Sequence, residues 1–438
     1  MQNDLAFFLT RHSAGQTALL VHIEFTTLAV DANLLGASEA VQAEWRELVR
    51  AAEVEIIGEE MVRRDKPDPH TFLGSGKAEQ IKQHIVVHPV ERVLINAALS
   101  PTQERNLENI FGCRVMDRTG LILEIFAKRA RTFEGKLQVE LAQLRYLKTR
   151  LVGTWTHLER QRGGIGLRSG AGETQLEVDR RIVATRIKYV QERLEKVTQQ
   201  RALQRRTRRR QKRPVVALVG YTNAGKSTLF NRLTEAEVYV ADQLFATLDP
   251  TVRPVQLPGA GTVMLADTVG FIRNLPHDLV AAFRATLEEV CYADLLLHVI
   301  DVTSEERAVL QAAVQDVLTE IEANHVPILE VYNKIDCVPH LSPRIDCNDM
   351  GKPIRVWCSA QTGQGIAELH RAIAACCGVE MHEQLLLLLP SQGDARAALY
   401  AENAVVSETI DDMGAFHLKI KMPRWRWDLW CHRFLPTE

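Results

Sequence analysis

Val215-Val-Ala-Leu-Val-Gly-Tyr-Thr-Asn-Ala-Gly-Lys-Ser-Thr-Leu-Phe-Asn-Arg-Leu233 is the stretch that decides the fold of this chain. Its first five residues are an apolar, β-branched run that reads as a buried strand. Gly220 to Ser227 follow as GxxxxGKS, and Thr228–Leu233 read as a helix. Strand, glycine loop and helix in that order form the context in which this motif cradles phosphate. The glycines let backbone N–H groups from Gly220, Tyr221, Thr222, Asn223, Ala224 and Gly225 wrap a β-phosphate, and the helix N-terminus beginning near Thr228 adds positive potential. Lys226 is expected to neutralise the β- and γ-phosphates, and the Ser227 hydroxyl to ligate Mg²⁺.

The same arrangement recurs downstream. Val263–Ala266 is strand-like and ends in Asp267-Thr268-Val269-Gly270. Asp267 at a strand end holds Mg²⁺ through water, and the Gly270 N–H approaches a γ-phosphate. Phe245-Ala246-Thr247-Leu248-Asp249 lies where a switch loop closes, with Thr247 as the second hydroxyl on the metal. Pro327–Tyr332 is a further strand and leads into Asn333-Lys334-Ile335-Asp336. A carboxylate there accepts from both N1–H and the exocyclic amine of guanine, a pair that adenine does not present. Asp336 is therefore the specificity residue, braced by Asn333 and Lys334. Ser359, Ala360 and Gln361 follow the strand Ile354–Cys358 and offer a backbone N–H to guanine O6. Four motifs in this order, each at the carboxyl end of a strand, point to GTP and GDP.

Catalysis is less obvious. Many GTPases place a water-orienting glutamine directly after DxxG, and this chain has Phe271 there. A phenyl ring cannot hydrogen-bond water, so unassisted turnover is expected on the order of 10⁻⁴ to 10⁻² per second. Lys226, Thr247 and Gly270 are the phosphate-facing residues available for catalysis. Two completions are open: Asn223 holds K⁺ against the phosphates, or a partner repositions the switch around Phe271 and Arg273.

Outward from this core, 438 residues exceed one hydrophobic core. A content of 46 % hydrophobic and 25 % charged residues describes an ordinary globular chain. The eight cysteines show no metal-like spacing and read as reduced thiols. No basic stretch with an apolar run opens the sequence, and Leu385–Leu389 is far too short to span a bilayer. We expect a cytoplasmic monomer that touches membranes at most peripherally. Residues 1–16 read as a tail, and 17–132 alternate strand and helix as a small, mainly parallel α/β domain. Its strands are expected at Ala18–Phe25, Glu53–Met61, Arg92–Asn96 and Gly112–Asp117, with a helix capped by Ser100. Over 133–213, Leu137, Leu141, Leu144 and Leu151, then Val183, Ile187, Val190, Leu194 and Val197, recur at helical steps. They predict an antiparallel helical hairpin whose tip is the glycine-rich 163–172. An arginine-rich run ends at Arg213, residues 214–378 again alternate strand and helix and carry the nucleotide motifs, and 379–438 form a short α+β piece. The fold class is α/β and multidomain.

These motifs, with Lys136-Leu-Gln-Val-Glu-Leu-Ala-Gln143, Gly172-Glu-Thr-Gln-Leu-Glu177 and Ala241-Asp-Gln-Leu-Phe-Ala-Thr-Leu-Asp-Pro250, closely resemble the HflX family of translational GTPases. The resemblance runs from about Ala18 to Cys377. It implies an N-terminal α/β domain, a helical hairpin, a Ras-like G domain and a short C-terminal domain. It further implies binding to the 50S subunit or 70S ribosome, stimulation of GTP hydrolysis there, and splitting of stalled ribosomes under stress. One departure stands out: the family's loop reads GGxGxRGPGETQ, whereas Arg168 is followed here by Ser-Gly-Ala-Gly-Glu. A glycine loop rimmed by arginine can enter an RNA groove, so Gly163, Gly164, Gly166, Arg168, Arg180 and Arg181 are the expected RNA contacts. Phe72-Leu-Gly-Ser-Gly-Lys77 reads best as a structural turn, although the resemblance implies nucleotide binding, ATP included, in the N-terminal domain. Two rivals are a regulatory switch acting on a protein target and an RNA-dependent ATPase or remodeller working through that turn.

Overall fold

Thr17–Phe25 (β1) is buried along nearly its whole length, because helices cover both faces of a parallel sheet. That sheet has the order β2-β1-β3-β4, with β2 at Glu55–Arg64, β3 at Arg92–Ile95 and β4 at Arg114–Asp117, and every pairing in it is parallel. The helices Glu39–Ala51 (α1), Ser75–Val87 (α2), Pro101–Phe111 (α3) and Arg118–Arg129 (α4) alternate with the strands. The edge strand β2 keeps an alternating exposure pattern. It carries paired charges, Glu59 with Arg46 at 2.7 Å among them, and charge on an edge discourages pairing with another chain. The structure is a computed structural model. It describes residues 17–25, 39–151, 175–210, 214–235, 244–245, 247–248, 251–257, 261–273, 287, 289–377, 381–401, 404–411, 414–423, 427, 430–431 and 433–434. Residues 1–16, Gly163, Gly164, Gly166, Arg168, Ala246, Asp249 and Trp425 lie outside the described residues.

Ser100 caps α3 with a complete capping box: its hydroxyl accepts from Gln103 N, and the Gln103 side chain returns to the Ser100 amide. Gly112, expected to open a strand, instead closes α3 in the left-handed region at φ 71°. Strand β4 therefore starts at Arg114. Two further boundaries differ from expectation. Helix α2 begins at Ser75, inside the stretch read as a turn, and β2 runs on to Arg64 rather than stopping at Met61.

Phe133–Arg150 (α5) and Gln175–Arg210 (α6) form the hairpin. Leu137, Leu141, Leu144, Leu151, Val183 and Val190 join in one buried cluster, with Ile187 and Leu194 packed against it. The carboxyl end of α5 is fastened to the sheet by buried polar groups. Asp117 caps α4 by accepting from Gly120 N at 2.8 Å, and it also accepts from Tyr146 Oη at 2.8 Å and Arg150 Nη2 at 2.7 Å. Arg150 stacks on the Tyr146 ring at 3.6 Å and donates Nε to Glu104 at 2.6 Å.

The chain divides into two compact units. One gathers residues 1–202 with 241–249 and 269–286, and the other holds the remainder. In the second unit, the strands are Val215–Val219 (β5), Thr251–Leu257 (β6), Gly261–Asp267 (β7), Leu295–Asp301 (β8), Ile328–Asn333 (β9), Arg344–Cys347 (β10) and Pro353–Trp357 (β11). They form a sheet of order β10-β11-β9-β8-β5-β7-β6, in which β6 and β10 run antiparallel to their neighbours. Lys226–Thr234 (α7), Arg307–Glu320 (α8) and Ile366–Cys376 (α9) pack beside it. Between β9 and β11 the sequence led us to expect the strand–helix alternation to continue. The short hairpin β10–β11 stands there instead, its turn built on Asn348.

Met381–Leu388 (β12), Gly393–Ala401 (α10), Val405–Ile410 (β13) and Phe416–Pro423 (β14) make a three-stranded antiparallel sheet with a helix. Trp427 and Trp430 stack at 5.3 Å and belong to its core. Among the described residues, no helix is long and apolar enough to cross a membrane.

Burial pushes the Glu104 carboxyl up from 4.5 to about 7 despite the guanidinium beside it. The folded chain thus keeps a proton that the unfolded chain has released, and stability falls as pH rises through this window. Glu104→Gln should remove that contribution, so that between pH 4.5 and 7 the parent loses about 2 kcal/mol relative to the variant in urea unfolding.

Candidate functional site

Gly220 leaves β5 at φ 147°, where any Cβ would overlap the Val299 carbonyl of β8. Only glycine lets the loop pass that close to the neighbouring strand. Asn223 turns at φ 61°, and Gly225 at φ 93° passes against the Asn333 side-chain amide. Helix α7 then begins at Lys226 without a side-chain cap, so its first N–H groups are directed at the concave side of the loop.

The phosphate end holds two oppositely charged buried residues. Lys226 is 6 % exposed and donates to the Tyr221 carbonyl at 2.7 Å. Burial pushes its ammonium down to about 8, while the Asp267 carboxylate pulls in the other direction. Asp267 ends β7 with no exposed surface and accepts the Ser227 hydroxyl at 2.9 Å. Thr268 is anchored by donating to the Leu218 carbonyl at 2.5 Å, which fixes the chain directly after Asp267.

The base end is built around Asn333. Its Nδ2 donates to the Ala224 carbonyl at 2.9 Å, and its Oδ1 accepts the Ala360 amide at 2.9 Å. Lys334 adopts φ 67° and pairs with Asp301 at 2.7 Å. The hydrogen bond from Ser359 holds the Asp336 carboxyl below its ordinary range. Ile335 is buried beneath this loop. The amides expected to meet guanine O6 are used internally, since Ser359 N donates to Gln364 O at 2.8 Å and Ala360 N to Asn333. No such partner is found among the described residues for the Gln361 amide next in line.

Sequence reasoning did not single out Asp301 or Arg232. Asp301 had a signal, because it ends the apolar strand β8 as Asp267 ends β7. Arg232 had none: its Nε reaches the Ala360 carbonyl at 3.1 Å across 128 residues of chain.

The switch segments around Thr247 and Gly270 are grouped with the first unit. Phe245 is 2 % exposed at φ 58° and meets Phe126 of α4 edge-on at 4.7 Å. Val269, Phe271 and Ile272 are buried, as is Leu248. Arg118, at the start of α4, donates to the Arg273 carbonyl at 3.0 Å and pairs with Glu44, and Arg273 Nε lies 3.8 Å from the same carboxylate. Arg180 and Arg181 are exposed on α6. Lys77 pairs with Glu60 at 2.9 Å, and Gly74 packs against the Arg64 guanidinium, so this glycine stretch is a tied turn.

Residues 39–127 match the family model for a GTP-binding GTPase N-terminal region, and 129–208 match that for a GTP-binding GTPase middle region. Residues 215–334 match the model described as 50S ribosome-binding GTPase. The GTPase HflX of Escherichia coli is 52 % identical to this chain over 421 residues, covering 96 % of this chain and 97 % of that protein. The Magnetococcus marinus GTPase HflX is 49 % identical, covering 82 % of this chain and 83 % of its own length. That of Caldanaerobacter subterraneus is 53 % identical over 67 % of this chain and 68 % of itself.

Replacing Asn333 by alanine strands a buried carbonyl and a buried amide at once. Asn333→Ala should lower stability by about 2–4 kcal/mol and weaken GDP at least about tenfold. Chemical denaturation and nucleotide titration of the same preparation check both.

Proposed function

Because the chain belongs to the HflX family of GTPases and is a GTP hydrolase, we propose that it works on the large ribosomal subunit, splitting or rescuing stalled ribosomes under stress. The observation that carries this reading is the match of residues 215–334 to a model described as 50S ribosome-binding GTPase, set beside exposed Arg180 and Arg181 on the hairpin. Arginines there pair with backbone phosphates, and the glycine tip beyond them enters the RNA. The division at residues 17, 133, 214 and 379 belongs to this proposal, as does action in the cytoplasm.

In this reading the loop from Gly220 to Thr228 wraps the phosphates, and Lys226 neutralises the β- and γ-phosphates. Asp336 reads the base, Lys334 flanks it, and an amide of the Ser359–Gln361 loop meets O6. The Ser227 hydroxyl and the Asp267 carboxylate are hard oxygen donors 2.9 Å apart, a set that suits Mg²⁺. Ser227 and Thr247 would hold the ion directly and Asp267 through water. The ion would neutralise charge on the phosphate oxygens. Asn223 would hold K⁺ beside the same oxygens, and the Gly270 amide would approach the γ-phosphate.

Phe271 leaves no side chain to orient water, so hydrolysis is slow until the switch is repositioned. The contacts of Arg118 and Glu44 with Arg273, and of Phe126 with Phe245, support a route by which the N-terminal domain senses that switch. GTP favours the bound conformation, and hydrolysis releases it.

Steady-state GTP hydrolysis with and without purified large subunits or whole ribosomes tests the proposal. Stimulation of about a hundredfold or more is expected, abolished by Lys226→Ala and reduced by Arg180→Glu with Arg181→Glu. A rate that ribosomes leave unchanged would sink the ribosomal reading and leave a switch with a protein target. Arg118→Ala should change the stimulated rate by about tenfold while nucleotide affinity stays within about twofold.

A further inference from the structure

Arg232 stands in the last turn of α7, the helix that follows the phosphate loop. Its guanidinium reaches the loop after β11, where Nε donates to the Ala360 carbonyl at 3.1 Å and Nη2 to the Gln361 carbonyl. Two successive carbonyls held by one planar fork leave their peptide groups little freedom to turn.

The neighbouring amides of this loop are spent on internal acceptors. Ser359 N donates to the Gln364 carbonyl at 2.8 Å, and Gly363 N donates to the Ser359 carbonyl at 2.9 Å. Thr362 N goes to the Ser359 hydroxyl at 3.1 Å, and Ala360 N to Asn333 Oδ1 at 2.9 Å. The Gln361 amide has no such acceptor among the described residues. It belongs to the same peptide group as the Ala360 carbonyl, and in a trans peptide the two point in opposite directions. With the carbonyl committed to Arg232, the N–H faces away from that arginine. A cation on the carbonyl also draws electron density from the amide and makes its N–H a stronger donor. The loop adjoins the base-reading residues, since Ser359 hydrogen-bonds the Asp336 carboxylate.

We propose that Arg232 is a positioning residue for base recognition, which turns the Gln361 amide outward as the donor to guanine O6. The role rests on the reading in which Asp336 takes the base and this loop meets O6. An arginine that only braced the loop would act on every nucleotide alike. One that aims a single donor acts on bases that carry an oxygen at position 6.

The test measures three diphosphates on the full chain by competition with fluorescent GDP. They are GDP, IDP, which keeps O6 without the exocyclic amine, and 2-aminopurine riboside diphosphate, which keeps the amine without O6. Arg232→Ala should weaken GDP and IDP about tenfold each and change the 2-aminopurine nucleotide by less than about twofold. Arg232→Lys, which restores the charge and one donor, should weaken GDP only about threefold. In the unaltered chain, the Gln361 amide proton should move downfield with GDP and IDP but not with the 2-aminopurine nucleotide, while that of Ala360 stays in place. This NMR comparison needs no variant and remains decisive should either one misfold. Equal weakening of all three nucleotides by Arg232→Ala would overturn the proposal, as would an O6-dependent shift at Ala360 in place of Gln361. Asp336→Asn tests the underlying reading separately, because it should shrink the advantage of GDP over IDP about tenfold. An unchanged advantage would sink the base assignment and the role of Arg232 with it. A reduced advantage, with no O6 dependence at Arg232, would sink the role of Arg232 alone.

Discussion

The side-chain amide of Asn333 holds two loops at a fixed separation, and the rest of the nucleotide site depends on that separation. One end takes the Ala224 carbonyl from the phosphate loop, and the other takes the Ala360 amide from the loop after β11. These loops are distant in sequence, and in the proposed reading they serve opposite ends of a nucleotide. Gly225 is required where it stands because a side chain there would occupy the space of the Asn333 amide. A shorter or charged side chain at this position could not serve both a donor and an acceptor in fixed geometry. Neighbouring contacts repeat the logic: Lys334 is fixed by Asp301, and Arg232 carries the Ala360 carbonyl.

The same preference for local, saturated polar contacts organises the first unit. Asp117 serves as helix cap, acceptor for Tyr146 and counterion for Arg150. Each bond uses a lone pair that would otherwise be buried without a partner. A carboxylate with 2 % exposure is therefore tolerated at a strand end. Arg118, the next residue, reaches Asn96, Glu44 and the Arg273 carbonyl. Adjacent residues at one strand–helix junction thus fasten α5 on one side and a switch segment on the other.

Much of this was legible in the sequence, for physical reasons that differ from place to place. The phosphate loop was readable because its glycines answer to backbone geometry, with Gly220 at φ 147° and Gly225 at φ 93°. The hairpin was readable because apolar residues at helical steps have one solution, a shared seam. Gly112 misled because glycine opens strands and closes helices alike, and only the capping geometry of α3 decides between them. The hairpin β10–β11 was missed because its turn rests on an Asn348 side chain bonded to its own backbone, which periodicity does not register. The amides of Ser359 and Ala360 were assigned outward because sequence gives no sign of internal acceptors. Gln364 and Asn333 supply those only in the folded loop.

In the proposed reading, Lys226 supplies a buried positive charge that a phosphate would complete. The ammonium is 6 % exposed, it donates to the Tyr221 carbonyl, and its ordinary basicity is reduced by burial. Asp267 compensates in part, yet it accepts the Ser227 hydroxyl. The nearby imidazole of His298 stays neutral because burial and the lysine both oppose a second positive charge. A buried cation with incomplete compensation is an unfavourable arrangement for a chain alone. It becomes favourable when a phosphate supplies negative charge within reach, since attraction in so dry a place exceeds the same attraction in water. The start of α7 carries no side-chain cap, and N–H groups at a helix N-terminus favour an anion in the same way.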